Sequence, residues 1–218
     1  LLKNGKILSQ NQIVRGDLIE IFSKENQIES LKVYENGIII SENTGYEKDK
    51  NNQNQLIINQ DILKAEVIEL KINENEMSEI ELIGMASSFI HLYEDSLYQG
   101  TNEISGDKIK LKLINNNATE LFSTGGVIGQ FIPSTSNTSG QEKVDYKAAR
   151  VQFDTNSRSS KMYGKANIIQ IGMDLKAAQI NIDWKSNILE AFHKNLYDKE
   201  EELEPTLIEK GREPVSGK

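Results

Sequence analysis

One strand–turn–strand pattern recurs along this chain, and its first three copies align without a gap. The first runs from Gly16-Asp17-Leu18-Ile19-Glu20-Ile21 to Ile28-Glu29-Ser30-Leu31. The second runs from Ala65-Glu66-Val67-Ile68-Glu69-Leu70 to Met77-Ser78-Glu79-Ile80, and the third from Gly106-Asp107-Lys108-Ile109-Lys110-Leu111 to Ala118-Thr119-Glu120-Leu121. Apolar residues share columns at Ile19/Ile68/Ile109, Ile21/Leu70/Leu111 and Leu31/Ile80/Leu121, and the turn column holds Asn26, Asn75 and Asn116. Two weaker copies start at Ala149 and Ala178. A unit that cannot bury its apolar face alone must stack on its neighbours, so a period of about 40 to 50 residues implies serially wound β structure.

Period-2 alternation fills most of the chain and helical periodicity is nearly absent, which makes the expected fold all-β. Strands of five to seven residues are expected at close spacing, as an antiparallel meander of serial hairpins, because no intervening helices are available for parallel crossovers. Small residues interrupt three outgoing strands at Gly84-Met85-Ala86, Gly125-Gly126-Val127 and Gly164-Lys165-Ala166. Glycine inside a strand marks a bend or bulge, and repetition at corresponding places predicts a lengthwise crease. Lys48–Gln55 and Pro133–Glu142 lack large apolar residues and read as loops. Ile188–Tyr197 fits either a last hairpin or a turn or two of helix. From Asp198 the chain is charged and holds Pro205 and Pro214, so residues 1–197 read as one domain and 198–218 as a charged linker to a following one. The opening at Leu1, without Met or a leader, reads as a mature or excised piece.

A net charge of −8 argues against nucleic acid or an anionic surface as partner, since both are held by basic patches. The chain has no cysteine, which removes disulfides, thiol catalysis and thiolate metal sites. His91 and His193 are its two histidines and read as structural, so no metal site is assigned. Gly125-Gly126-Val127-Ile128-Gly129-Gln130 leads into a strand and lacks the helix N-terminus that would hold a phosphate. Asp17 and Asp107 read as turn or strand-entry residues, while Glu20, Glu69 and Lys110 share a column that suits a solvated face. No catalytic pair and no cofactor is singled out.

The candidate site is instead the opposite face. Ile19, Ile21, Leu31, Val33, Ile68, Leu70, Ile80, Leu82, Ile109, Leu111, Val151, Phe153, Ile169, Ile171, Ile180 and Ile182 are read to one side of their strands, with Met173 and Leu175. They form either an ordinary sandwich core or, between sheets that splay apart, an aliphatic groove for alkyl chains. Only 6% of residues are aromatic, which leaves Ile and Leu to supply that face.

Two stretches carry a resemblance. One is Gly84-Met85-Ala86-Ser87-Ser88-Phe89 followed by Tyr98-Gln99-Gly100-Thr101-Asn102-Glu103-Ile104-Ser105-Gly106-Asp107-Lys108-Ile109-Lys110-Leu111. The other is Val144-Asp145-Tyr146-Lys147-Ala148, then Gly164-Lys165-Ala166, then Leu175-Lys176-Ala177-Ala178-Gln179-Ile180-Asn181-Ile182-Asp183. Over residues 14–192 the chain resembles the OstA-like family of periplasmic lipopolysaccharide-transport proteins, which includes the N-terminal domain of the outer-membrane assembly protein D. The resemblance implies an antiparallel β-jelly roll folded into an open V, with lipid A acyl chains inside and the sugar in water. It also implies partners of the same fold, joined by edge-strand addition, a periplasmic location near the outer membrane, and an outer-membrane barrel following this chain. It transfers no catalytic residue and no cofactor. A closed β-solenoid or scaffold without ligand and a carbohydrate-active jelly roll are the two rival readings; the lone Trp184 makes a poor sugar platform for the latter.

Overall fold

The alternating segments build antiparallel strands, apart from a parallel bridge between Tyr46 and Leu97. The structure is a computed structural model and describes residues 1–9, 11–49, 51–73, 76–114, 117–134, 142–186, 188–194 and 202–217. Among them are thirteen strands and no helix: β1 (Leu2–Leu8), β2 (Gln12–Lys24), β3 (Gln27–Lys48), β4 (Asn54–Asn73), β5 (Glu76–Glu94), β6 (Leu97–Ile114), β7 (Asn117–Pro133), β8 (Val144–Asp154), β9 (Ser159–Gln170), β10 (Met173–Asp183), β11 (Ile188–Phe192), β12 (Thr206–Glu209) and β13 (Val215–Ser216). They form one sheet in sequence order from β1 to β10, with β11 and β12 each paired to half of β10 and β13 on β12. This is the all-β meander of serial hairpins expected from the alternation.

The strands are longer than the sequence suggests, because each long one crosses the crease. Eight successive pairs, from β2–β3 to β9–β10, shift register by one residue at this place, as between Arg15/Leu18 and Tyr34/Gly37 or between Ile83 and Ala86. The extra residue always lies on the odd-numbered strand. There Glu35-Asn36, Gly84-Met85, Gly125-Gly126 and Gly164-Lys165 all take positive φ. An inserted residue in the left-handed region bends and twists its strand, and four aligned insertions fold the whole sheet. Segments such as Ser30–Tyr34 and Gly37–Ser41, two strands by alternation alone, are the two halves of β3.

The fold line divides the sheet into two leaves. Leaf A holds the sequence repeat, each copy being an even strand leaving the crease, a hairpin turn and an odd strand returning. Glu25 and Asn26 form the first of these turns with φ of 51° and 64°, the mirror-image geometry that matches strand twist; Asn75 and Asn116 lie outside the described residues. Leaf B is made of the other halves. Along the crease its inward side is small in nearly every strand, at Gly5, Gly16, Gly37, Ala65, Ala86, Gly106, Ala148, Ala166 and Ala177, with Val127 the largest. Small side chains let the leaves converge there.

The ends of the chain settle onto the sheet as well. Ile188–Phe192 completes a hairpin with β10, so the helical alternative for that segment does not form. Within the stretch read as a linker, Thr206–Glu209 pairs with Met173–Lys176 of β10, and half-buried Leu207 packs against the core. An apolar residue opposite Leu175 is enough to hold this short strand. Of the two expected loops, Lys48–Gln55 tightens to a turn in which Asp49 Oδ1 accepts from the backbone N–H groups of Asn51 and Gln53, both at 2.8 Å. Most of Pro133–Glu142 lies outside the described residues.

Candidate functional site

Cross-strand partners point to the same side of a sheet, so the register defines the inward rows. The first row of leaf A runs Leu2, Ile19, Val33, Ile68, Leu82, Ile109, Ser123, Val151, Met162, Ile180, Ala191. The second runs Ile21, Leu31, Leu70, Ile80, Leu111, Leu121, Phe153, Ser160, Ile182, Leu189. Facing them, leaf B presents Ile7, Val14, Ile39, Leu63, Ser88, Ile104, Gly129, Tyr146, Ile168, Leu175, Leu207. From β1 to β10 there are nine strand spacings of ~4.8 Å, so each row extends about 43 Å. Buried residues of both leaves belong to one continuous cluster.

Fourteen of the sixteen candidate residues lie on these rows. Twelve are buried: Ile19, Leu31, Val33, Ile68, Leu70, Ile80, Leu82, Ile109, Leu111, Val151, Ile180 and Ile182. Phe153 is half-buried, and Ile21 is 39% exposed because β1 ends opposite Ile19 and leaves it at the rim. Ile169 and Ile171 do not join the rows. Ile169 pairs with Asp145 and Asp174 on the outer surface, while its neighbour Ile168 pairs with buried Tyr146 and Leu175 and faces in. Ile171 is 78% exposed in the turn before β10. The alternation fits either phase of Ile168-Ile169-Gln170-Ile171, and only the partners decide.

The leaf B half of the interior was not legible from the repeat. On even strands the crease reverses the phase: counting by twos back from Ile109 reaches Asp107 and Ser105, whereas the inward residue is Ile104. On β3 the run Ile38-Ile39-Ile40 hides which isoleucine is buried.

The outer surface of leaf A is an ion-pair ladder. Lys32 Nζ lies 2.7 Å from Glu69, and Lys71 and Lys110 each lie 2.8 Å from Glu79. Those two ammonium groups, Lys110 first, hold the Glu79 carboxyl below its usual range. Glu20, Glu69 and Lys110 therefore face water, as their column implied. The acidic residues at the head of each repeat are not strand-entry residues: they lie mid-strand on the convex side of the crease. Asp17 accepts from Asn36 Nδ2 at 2.9 Å, and Asp107 lies against Gly125.

Opposite the crease, the tips of the leaves meet. Phe131 of leaf B stacks obliquely on Trp184 of leaf A with ring centroids 6.2 Å apart, and the Arg158 guanidinium of leaf A pairs with Glu94 of leaf B. The interior is thus bounded by the crease on one side and this clasp on the other. Its ends lie at the β1 edge and at the β11–β12 edge, since these outer strands do not pair with each other.

Each of the two histidines faces a carboxylate. Half-buried His91 places Nδ1 2.8 Å from Asp61 Oδ1, and the same oxygen accepts from the His91 backbone N–H at 2.8 Å, where β4 parts from β5. The carboxylate thereby replaces a lost ladder bond. Tyr93 accepts from Asn59 Nδ2 at 2.9 Å nearby, and burial pushes its phenol up. His193 Nε2 lies 3.4 Å from Glu202 near the chain end. Among the described residues no group of three or more His, Cys, Asp or Glu side chains is placed to hold a metal ion.

No family model matches the chain, and no curated protein matches it in sequence. Among solved structures it is similar to the crystal structure of LptH, the LptA homologous periplasmic component of the conserved lipopolysaccharide transport device from Pseudomonas aeruginosa. The TM-score is 0.44 at 15% identity, over 59% of this chain and 79% of that one.

Proposed function

We propose that this chain binds lipopolysaccharide by its acyl chains between the two leaves and passes it across the periplasm towards the outer membrane, as one module of a transport assembly. The observation that carries the reading is the pair of facing leaves whose inward rows are mainly aliphatic across ten strands and end at two unjoined sheet edges. The sequence resemblance set out above agrees with it. Burying a methylene is worth about 0.8 kcal/mol, so a few methylenes per chain hold a lipid. Many similar contacts in register hold it without trapping it at one point. Acyl chains entering between the leaves replace aliphatic contacts with aliphatic contacts, so apolar surface stays buried in both states.

On this reading the module is not an enzyme: no residue is assigned to catalysis and no cofactor is needed. Partners are lipopolysaccharide and further jelly-roll domains added to the free edges, where unpaired backbone groups accept another strand. An outer-membrane barrel following residues 198–218 belongs to the same proposal, as does a periplasmic location. The deep burial of the twelve interior residues favours one rival, a closed scaffold without ligand.

Photo-crosslinking separates the two. Probes at Leu70 and Leu111 face the interior, and probes at Glu69 and Lys110 face the ion-pair ladder. Capture of lipopolysaccharide from the interior positions alone is expected. Equal capture from both faces would sink the interior as the site, and no capture from any position would leave the closed scaffold standing.

A further inference from the structure

The interior satisfies nearly all of its polar side chains. Asn102 accepts from the Tyr146 hydroxyl at 2.8 Å, and Ser160 accepts from Trp184 Nε1 at 2.7 Å. Two hydroxyls break the pattern. Ser88 is 1% exposed and Ser123 is not exposed at all, and neither Oγ has a hydrogen-bond partner among the described residues. A buried hydroxyl without a partner costs stability that alanine would not.

Their placement is not scattered. Ser88 pairs with Leu63 and Ile104 in leaf B; Ser123 pairs with Ile109 and Val151 in leaf A. Ile104 and Ile109 lie on β6 to either side of the crease. The two hydroxyls therefore flank one strand, one on each leaf, in otherwise aliphatic stretches of their rows. Gly106 lets β6 pack directly against the second of these hydroxyls, since a Cβ there would fall 2.8 Å from Ser123 Oγ.

We infer that Ser88 and Ser123 form a polar subsite for an oxygen carried on an alkyl chain, a hydroxyl or an ester oxygen, when the leaves are occupied. This rests on the reading of the interior as an acyl-chain site and adds the class of chain it selects. Each serine hydroxyl both donates and accepts, so it serves either kind of oxygen. A purely aliphatic chain would leave both unpaired.

The test compares tetradecanoic acid, 3-hydroxytetradecanoic acid and 3-acetoxytetradecanoic acid on the wild-type chain and on S88A/S123A, by displacement of a fluorescent fatty acid. Wild type is expected to bind at least one oxygen-bearing chain about fivefold more tightly than the plain one, the scale of one net hydrogen bond; which one it prefers distinguishes hydroxyl from ester. The double variant is expected to bind all three alike, with the plain chain's affinity kept. It is also expected to melt at a higher temperature than wild type, because the two orphan hydroxyls are gone. No discrimination by wild type, retained discrimination by the variant, or a lower melting temperature overturns the subsite while leaving acyl-chain binding intact. Failure of all three chains to bind overturns the acyl-chain reading and the subsite with it.

Discussion

At the scale of single residues, isoleucines of this chain have opposite fates. Ile68 sits in the first row of leaf A with no exposure, and Ile171 is 78% exposed. Ile68→Ala is therefore expected to cost about 3 kcal/mol, the sum of lost transfer and a cavity, and Ile171→Ala less than about 0.5 kcal/mol. Denaturant midpoints at constant slope measure both, and similar losses would mean that the rows are misassigned. The leaf A rows were legible because three gapless copies fix a common phase. Ile169 and Ile171 were misplaced because nothing local chooses between the two phases of their strand. Tyr146 illustrates a residue whose burial the repeat did not reveal. It is buried, its hydroxyl donates to Asn102, and burial is the main cause that raises its phenol pKa from the ordinary 10.0. The neutral phenol is favoured in the folded state, so the unfolded chain loses this proton first as pH rises. Stability should then fall above about pH 10, by up to about 1.4 kcal/mol per pH unit for this group. Tyr146→Phe should flatten that alkaline decline, at a cost near neutrality from the unpaired Asn102; an unchanged alkaline slope would remove Tyr146 as its source.

At the scale of elements, the crease is the feature on which the leaves depend. Its glycines were legible at residues 84, 125 and 164, since glycine within alternation signals a bend. Its continuation through Glu35-Asn36 was not, because these residues take φ of 54° and 53° without glycine. The phase reversal on even strands was equally hidden, being a property of the pairing and not of either strand. Gly125 and Gly126 allow a test of what the crease requires. Both have positive φ, but a Cβ on Gly125 would lie 2.2 Å from Asp107 Oδ2, whereas Gly126 has open space around it. Gly126→Ala is expected to cost about 1–2 kcal/mol for the left-handed backbone alone. Gly125→Ala should cost more, because Asp107 must move too. Combining it with Asp107→Ala should return the cost to that of Gly126→Ala. Thermal unfolding of the three variants decides this, and equal losses for the two single glycine variants would show that the acidic residue does not press on the crease.

At the scale of the whole molecule, the question is whether the leaves must part. Among the described residues, Phe131 on Trp184 and Arg158 with Glu94 bridge the side opposite the crease. The ion pair is solvent-accessible, so its own contribution is on the order of 1 kcal/mol or less, and the aromatic contact adds a comparable amount. Such a clasp is weak beside the aliphatic rows behind it. If acyl chains enter through this side, opening should be limited by separating those rows and should cease when the tips are tied. The chain has no cysteine of its own, so Glu94→Cys with Arg158→Cys introduces the sole thiol pair, which a short bis-maleimide or oxidation can join. The joined protein is expected to lose at least about tenfold in lipopolysaccharide capture at Leu70 and Leu111. Reducing the oxidised form should restore it, while the bis-maleimide form stays closed. Opening at a free edge does not require the tips to separate, so undiminished capture by the joined protein would place entry at the β1 or the β11–β12 edge. In that case the strands added by a neighbouring domain, and not the clasp, would control passage, and tying the leaves together would leave transport between domains untouched.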